Sequence, residues 1–186
     1  MIQILTMALT LISPLLLSVE LNFPTEQSRT DCRPMSKPEC DMLHAINKIR
    51  LRHKLAPLLI SEQAARMARE QAVDMGKRGY FSHERPKSPD QPAESFRERV
   101  RRFRLRGSTA ENIATSSGYT FEASLEQALQ GWLQSAGHRR NLLDPNSVST
   151  GIGHYRWEAK IKTRRDTTIQ WHDTWVQVFS SVPVEK

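Results

Sequence analysis

Apolar positions recur every three or four residues over three stretches of the chain, and every second residue over its last third. Met42, Ile46 and Ile49 line one helical face behind Asp41, a candidate N-cap, so a first helix is expected at about 42–54. Ala56-Pro57-Leu58 breaks it, and Ser61 caps a second helix at about 62–77. The stripe of that helix, Ala65, Ala68, Ala72 and Met75, is made mostly of small residues and predicts close packing against another layer. Gly76 and Gly79 are read as its end. The three prolines that follow, up to Pro92, mark a loop leaving Tyr80-Phe81-Ser82-His83. Ala93 to Arg106 reads as a basic helix interrupted by Val100, Phe103 and Leu105. Thr120 caps a fourth helix with the stripe Phe121, Leu125, Ala128, Trp132 and Ala136, and Gly137 is expected to end it. After a turn at Asp144-Pro145-Asn146, Ser149 to Lys162 and Thr167 to Val182 alternate apolar and polar residues around Arg164-Arg165-Asp166. They predict an antiparallel hairpin.

A chain of 186 residues with 38% hydrophobic and 25% charged residues suits one globular domain plus a tail. The expected organisation is an apolar segment over 1–19, a linker or arm rich in Pro, Ser and Thr over 20–40, and a domain over 41–182. Neither internal repeats nor low-complexity blocks interrupt it. The net charge is +7. Much of the excess lies between Arg97 and Arg106, where six arginines face one glutamate. This segment reads first as a solvated basic face. Its functional reading is peripheral contact with an anionic surface, such as lipid headgroups or a cell-envelope polymer. No nucleic-acid motif accompanies it, so no specific nucleic-acid partner is expected.

Met1 to Val19 carries no charge, and its apolar length suits a signal-peptide core better than a full membrane span. It lacks a preceding Lys or Arg and an Ala-x-Ala site. The expectation is an export signal, and hence a secreted, periplasmic or extracellular domain. Cys32 and Cys40 are the two cysteines of the chain. After export they can pair, which in the chain-entropy picture is worth about 2–3 kcal/mol for so short a loop; without export they stay thiols.

Three residues stand out as candidate chemistry. His138 follows directly on Gly137 at the expected mouth of the fourth helix. His83 is delivered on a loop by an aromatic anchor, and loops carry function. Glu111 sits in Ala110-Glu111-Asn112-Ile113-Ala114, whose apolar neighbours place it beside a core. A carboxylate there needs a partner: a His, an Arg or a metal. His83, Glu111 and His138 together can supply two imidazoles and a carboxylate to zinc. The alternative is a hydrogen-bonded cluster in which Glu111 ties the two histidines. A His–Glu pair can also do acid–base work.

The order of Phe81-Ser82-His83, Ala110 to Ala114, Trp132 with Gly137-His138-Arg139-Arg140-Asn141-Leu142-Leu143, Gly151-Ile152-Gly153 and Trp175-Val176-Gln177-Val178-Phe179 resembles the CAP superfamily. That group comprises cysteine-rich secretory, antigen 5 and pathogenesis-related 1 proteins, and the likeness is to its bacterial branch of SCP-domain proteins. The resemblance implies an α+β fold: an α-β-α sandwich with a small antiparallel sheet, including a short strand at Glu111–Ala114, between helical layers. It also implies an extracellular setting and a cleft of two His and two Glu that can hold a divalent cation such as zinc. His83 and Glu111 match the first His and first Glu of that set. The second Glu falls at Gln134 or Ser135 and the second His at Thr174. His172 is two residues from Thr174, on the same strand face, and is a further candidate ligand beside His138.

The function these residues imply is a secreted, non-catalytic domain. It would bind a lipid, a cell-envelope polymer or a protein ligand through the His/Glu cleft and the basic face. The alternatives are a metal-dependent hydrolase or protease using His83, Glu111 and His138, and a purely structural interaction module.

Overall fold

A computed structural model describes residues 32–117, 120–162 and 167–183. The apolar segment 1–19, most of the arm and the turn at 164–166 lie outside the described residues. The elements are α1 (Lys37–Arg52), β1 (Leu59–Ile60), α2 (Glu62–Arg78), α3 (Phe96–Arg102), β2 (Thr109–Ser117), α4 (Phe121–Gln134), α5 (Ala136–Leu142), β3 (Ser149–Lys162) and β4 (Thr167–Ser180). The strands form one sheet in the order β1-β3-β4-β2. The three long strands are antiparallel, and the two-residue β1 joins β3 in parallel. The sheet is therefore mixed, and β2 is an edge strand.

Helices cover both sheet faces. On one side Ile152, Trp175 and Phe179 pack with Met42, Leu43 and Ile46 of α1 and with Ala128, Leu129 and Trp132 of α4. On the other, Ile113, Val176 and Val178 meet Ala64, Met67, Ala68, Ala72 and Met75 of α2, with Phe96, Val100 and Phe103 beside them. This is an α-β-α sandwich. The small stripe of α2 has the counterpart it predicts: a Cβ on Gly151 would run into the Ala65 nitrogen, and one on Gly153 into the Ala68 carbonyl. Only bare backbone lets the helix sit this low on β3.

Four local expectations need correcting. The first helix starts at Lys37, capped by Ser36 in a capping box with Glu39, so Asp41 lies inside it. Gly76 is internal to α2, which ends at Gly79 in the left-handed conformation (φ 67°). The basic helix is short: Ser95 and Glu98 form a capping box, and the helix stops at Arg102 before Arg104 turns to φ 56°. Finally, Ser135, in extended conformation, ends α4 and opens α5, so Gly137 lies within α5 rather than terminating a helix.

Cys32 and Cys40 form a disulfide at the start of α1. The His44 imidazole lies one helical turn on, with Nε2 3.7 Å from the Cys40 Sγ and 3.8 Å from the Cys32 Sγ.

Candidate functional site

Glu111 projects from β2 on the α2/α3 face, two residues from the core residue Ile113. Its side chain is only 1% exposed. The partner that burial demands comes chiefly from α3. Arg99, also 1% exposed at its side chain, donates from Nη2 to both carboxylate oxygens, at 3.0 Å to Oε1 and 2.9 Å to Oε2. The same nitrogen donates to the His83 carbonyl oxygen at 3.0 Å. His83 completes the cluster through Nδ1, 3.0 Å from Glu111 Oε1, while its side chain stays 46% exposed. The loop carrying His83 is held a second time by Gln71 of α2, whose Nε2 donates to the Ser82 carbonyl at 2.9 Å.

His138 reaches the site from the other side of the β2 edge. Asn112, the neighbour of Glu111 on the opposite face, donates from Nδ2 to the His138 carbonyl at 3.1 Å. Asn141 donates to the Asn112 Oδ1 at 2.9 Å. These two bonds fasten α5 to β2. Burial and then the nearby His83 push the His138 pKa below the usual histidine value, which favours the uncharged imidazole.

The structure thus brings His83 and Glu111 into direct contact and sets His138 beside them. It does not bring His172. That residue pairs across the sheet with Ser117 and Trp157, whereas Glu111 pairs with Val178. Six residues of strand separate the two positions, about 20 Å at the usual rise. The His172 ring instead stacks on Trp157, 5.4 Å between centroids. Within 97–106, expected to carry a solvated basic face, two arginines are committed to carboxylates. Arg99 is internal, and Arg102 is ion-paired with Glu70 and Glu94, the latter at 2.7 Å. Arg97, Arg101 and Arg104 remain exposed.

Arg99 is the member that the sequence reading left among its identical neighbours. The signal for it was present. Phe96, Val100 and Phe103 make an apolar stripe, and Arg99 falls on the same face, three residues after Phe96. An arginine on the buried face of a short helix must meet a carboxylate.

The residues do not fit a divalent cation at Glu111. Both of its oxygens accept from a buried guanidinium, and a metal placed there would sit against a fixed positive charge. Gln134 is exposed and uncharged at the end of α4, and Thr174 is buried on β4. Among the described residues, the group of three His, Cys or acidic side chains that does converge within 4.8 Å is Cys32, Cys40 and His44. There the two sulfurs are already consumed by the disulfide.

Comparison with known proteins agrees with this architecture. The chain is 30% identical over 122 residues to the uncharacterized protein YkwD of Bacillus subtilis (strain 168), spanning 64% of this chain and 43% of that protein. It is 33% identical over 116 residues to the uncharacterized membrane protein YlbC of the same organism, spanning 62% of this chain and 31% of the relative. The match therefore covers less than half the length of either relative. Among solved structures, an extracellular protein containing an SCP domain from Bacillus anthracis str. Ames superposes with a TM-score of 0.58 at 29% identity, over 77% of this chain and 40% of that one. An outer surface protein from Borrelia burgdorferi shares the fold, with a TM-score of 0.55 at 21% identity, over 77% and 92% of the respective chains. No helix among the described residues is long and apolar enough to cross a membrane. Residues 43–179 match the CAP, or cysteine-rich secretory protein, family, and the chain belongs to it.

Proposed function

We propose that this CAP domain works outside the cytoplasm as a non-catalytic binding module, and that its ligand is a polymer of the cell envelope held at the rim formed by His83 and His138. The observation that carries the reading is the state of Glu111. Its carboxylate is neutralised by Arg99 and buried, so it is poorly placed to activate water or to anchor a catalytic metal. What reaches solvent is imidazole. With Nδ1 of His83 turned in to Glu111, its Nε2 faces outward, and burial favours the uncharged form of His138 beside it. Imidazoles so placed accept and donate hydrogen bonds to the hydroxyl and amide groups of a glycan or peptide chain without requiring charge. The extracellular bacterial neighbour and the apolar segment over 1–19 support a setting beyond the membrane. The exposed Arg97, Arg101 and Arg104 would add a weaker, salt-sensitive attraction to anionic surfaces.

The test is co-sedimentation of the purified domain with isolated cell-wall sacculi and, separately, with anionic phospholipid vesicles. Retention on sacculi should fall about tenfold or more in a His83→Ala/His138→Ala variant, equivalent to about 1.4 kcal/mol. Reversing Arg97, Arg101 and Arg104 should weaken vesicle binding more than sacculus binding. Equal retention of the His variant and the parent would refute the rim as the site. Cleavage of wall material by the parent but not by His83→Ala would replace the reading with a hydrolase.

A further inference from the structure

We propose that Arg99 is the resident cation of this cleft: its guanidinium takes up the carboxylate that would otherwise ligate a divalent ion, so the site excludes metal by construction. The inference is independent of what binds at the rim.

Charge balance is the first argument. The two-His, two-Glu arrangement that the sequence resembles brings together two carboxylates and a doubly charged ion. Here one carboxylate position holds Gln134 or Ser135, and the single remaining carboxylate faces one fixed monovalent cation. The second His position, Thr174, likewise offers no imidazole. Loss of half the donor set and the presence of an internal cation are complementary changes, and each leaves the cleft neutral.

Geometry is the second. Arg99 Nη2 lies 3.0 and 2.9 Å from Oε1 and Oε2, so both oxygens face the guanidinium, and Oε1 also meets His83 Nδ1. The two N–H groups of Nη2 are shared among three acceptors, and the contact to the His83 carbonyl ties the loop bearing the matched histidine to the same cation. One nitrogen thus holds both matched residues, which is the organising task of a metal ion in such a cleft.

The guanidinium itself is the third. Its Nε and Nη1 are buried and have no hydrogen-bond partner among the described residues. The Phe96 ring lies against it, 5.7 Å from the guanidinium carbon to the centroid. Burying such donors is unfavourable, and the ion pair is what offsets it. Arg99 is therefore placed for its charge rather than for a full set of bonds.

The experiment is zinc titration, by calorimetry and by thermal melting, of the wild type, Arg99→Met, Arg99→Lys and Arg99→Met/Glu111→Gln. The wild type and Arg99→Lys should take up no stoichiometric zinc and show no zinc-dependent change in melting temperature. Arg99→Met should bind zinc about tenfold more tightly or better, with a rise in melting temperature, and Glu111→Gln should abolish the gain. If Arg99→Met does not fold alone, it is refolded with zinc or with a chelator; recovery in zinc only supports the proposal, and recovery in neither overturns it. Stoichiometric zinc in the wild type that His83→Ala removes overturns it, as does a folded Arg99→Met that binds zinc no better than the parent. None of these outcomes depends on sacculus binding, so this proposal and the reading of the rim fail separately.

Discussion

The sheet carries two clusters of similar make-up, one on each face, and they are built for different ends. In the cleft, His83 meets Glu111 and Arg99. On the opposite face, His154 Nε2 lies 2.6 Å from Asp173 Oδ1, with Arg156 4.0 Å from the same oxygen. Both carboxylates are buried. The imidazoles differ: the His83 side chain is 46% exposed, that of His154 only 9%. His154 stacks on Trp175 at 4.0 Å and meets Phe121 edge-on, and its backbone nitrogen donates to Glu39. It is packed in the layer between β3 and α4. The arginines differ inversely. Arg99 is buried on its carboxylate, while Arg156 sits nearer the surface over Trp171. Composition is therefore no guide to function here. The cluster that holds its cation inside and leaves its imidazole outside is the candidate site; the one that buries its imidazole is a strut.

The sharpest way to break the comparison is to remove each interior anchor. Arg99→Met leaves Glu111 as a buried charge with only His83 beside it, and should cost about 3–5 kcal/mol. Arg99→Met/Glu111→Gln should recover a large part of that loss, because no unpaired charge remains. Chemical denaturation of the three proteins checks both statements. On the other face, Asp173→Asn keeps the shape but weakens the bond to His154, and should cost about 1–3 kcal/mol. Its effect on sacculus retention should be nil. A loss of binding in Asp173→Asn with the fold intact would mean that the second cluster is not merely a strut.

Much of this fold could be read from periodicity, and the reasons it failed in places are specific. The alanine stripe of α2 announced close packing, and the structure supplies its counterpart in Gly151 and Gly153 of β3. Alternation placed the first hairpin strand and the start of the second, but carried the second on to Val182, where β4 ends at Ser180. Glu111 was legible as a carboxylate needing a partner, but Arg99 stood in a run of six arginines whose shared chemistry concealed its phase. Only the start of α3, fixed by Ser95 and Glu98, turns Arg99 toward the core with Phe96 and Phe103. His172 was drawn in by its nearness in sequence to Thr174. Strand faces repeat every two residues, so a shared face says nothing about distance along the strand. His154 and Asp173 carried no local signal, because their contact depends on the pairing of β3 with β4.

A smaller effect tests the rim of the cleft by pH. Burial, with His83 nearby, holds the folded-state pKa of His138 below its ordinary value of 6.5. In the window between that lowered pKa and 6.5, the unfolded chain binds more protons than the folded one, so stability rises with pH. Above 6.5 the effect is absent. As pH falls below 6.5 the destabilisation grows, and it reaches its full size once pH has passed below the folded-state pKa. Denaturation curves at pH 7.5 and 5.5 should therefore show a steeper acid loss for the wild type than for His138→Gln, which cannot titrate. His83→Ala should lie between them, since it removes the second cause of the shift but not the first. If His138→Gln follows the wild type at both pH values, the acid sensitivity belongs elsewhere, and His138 is not the desolvated imidazole that the rim requires.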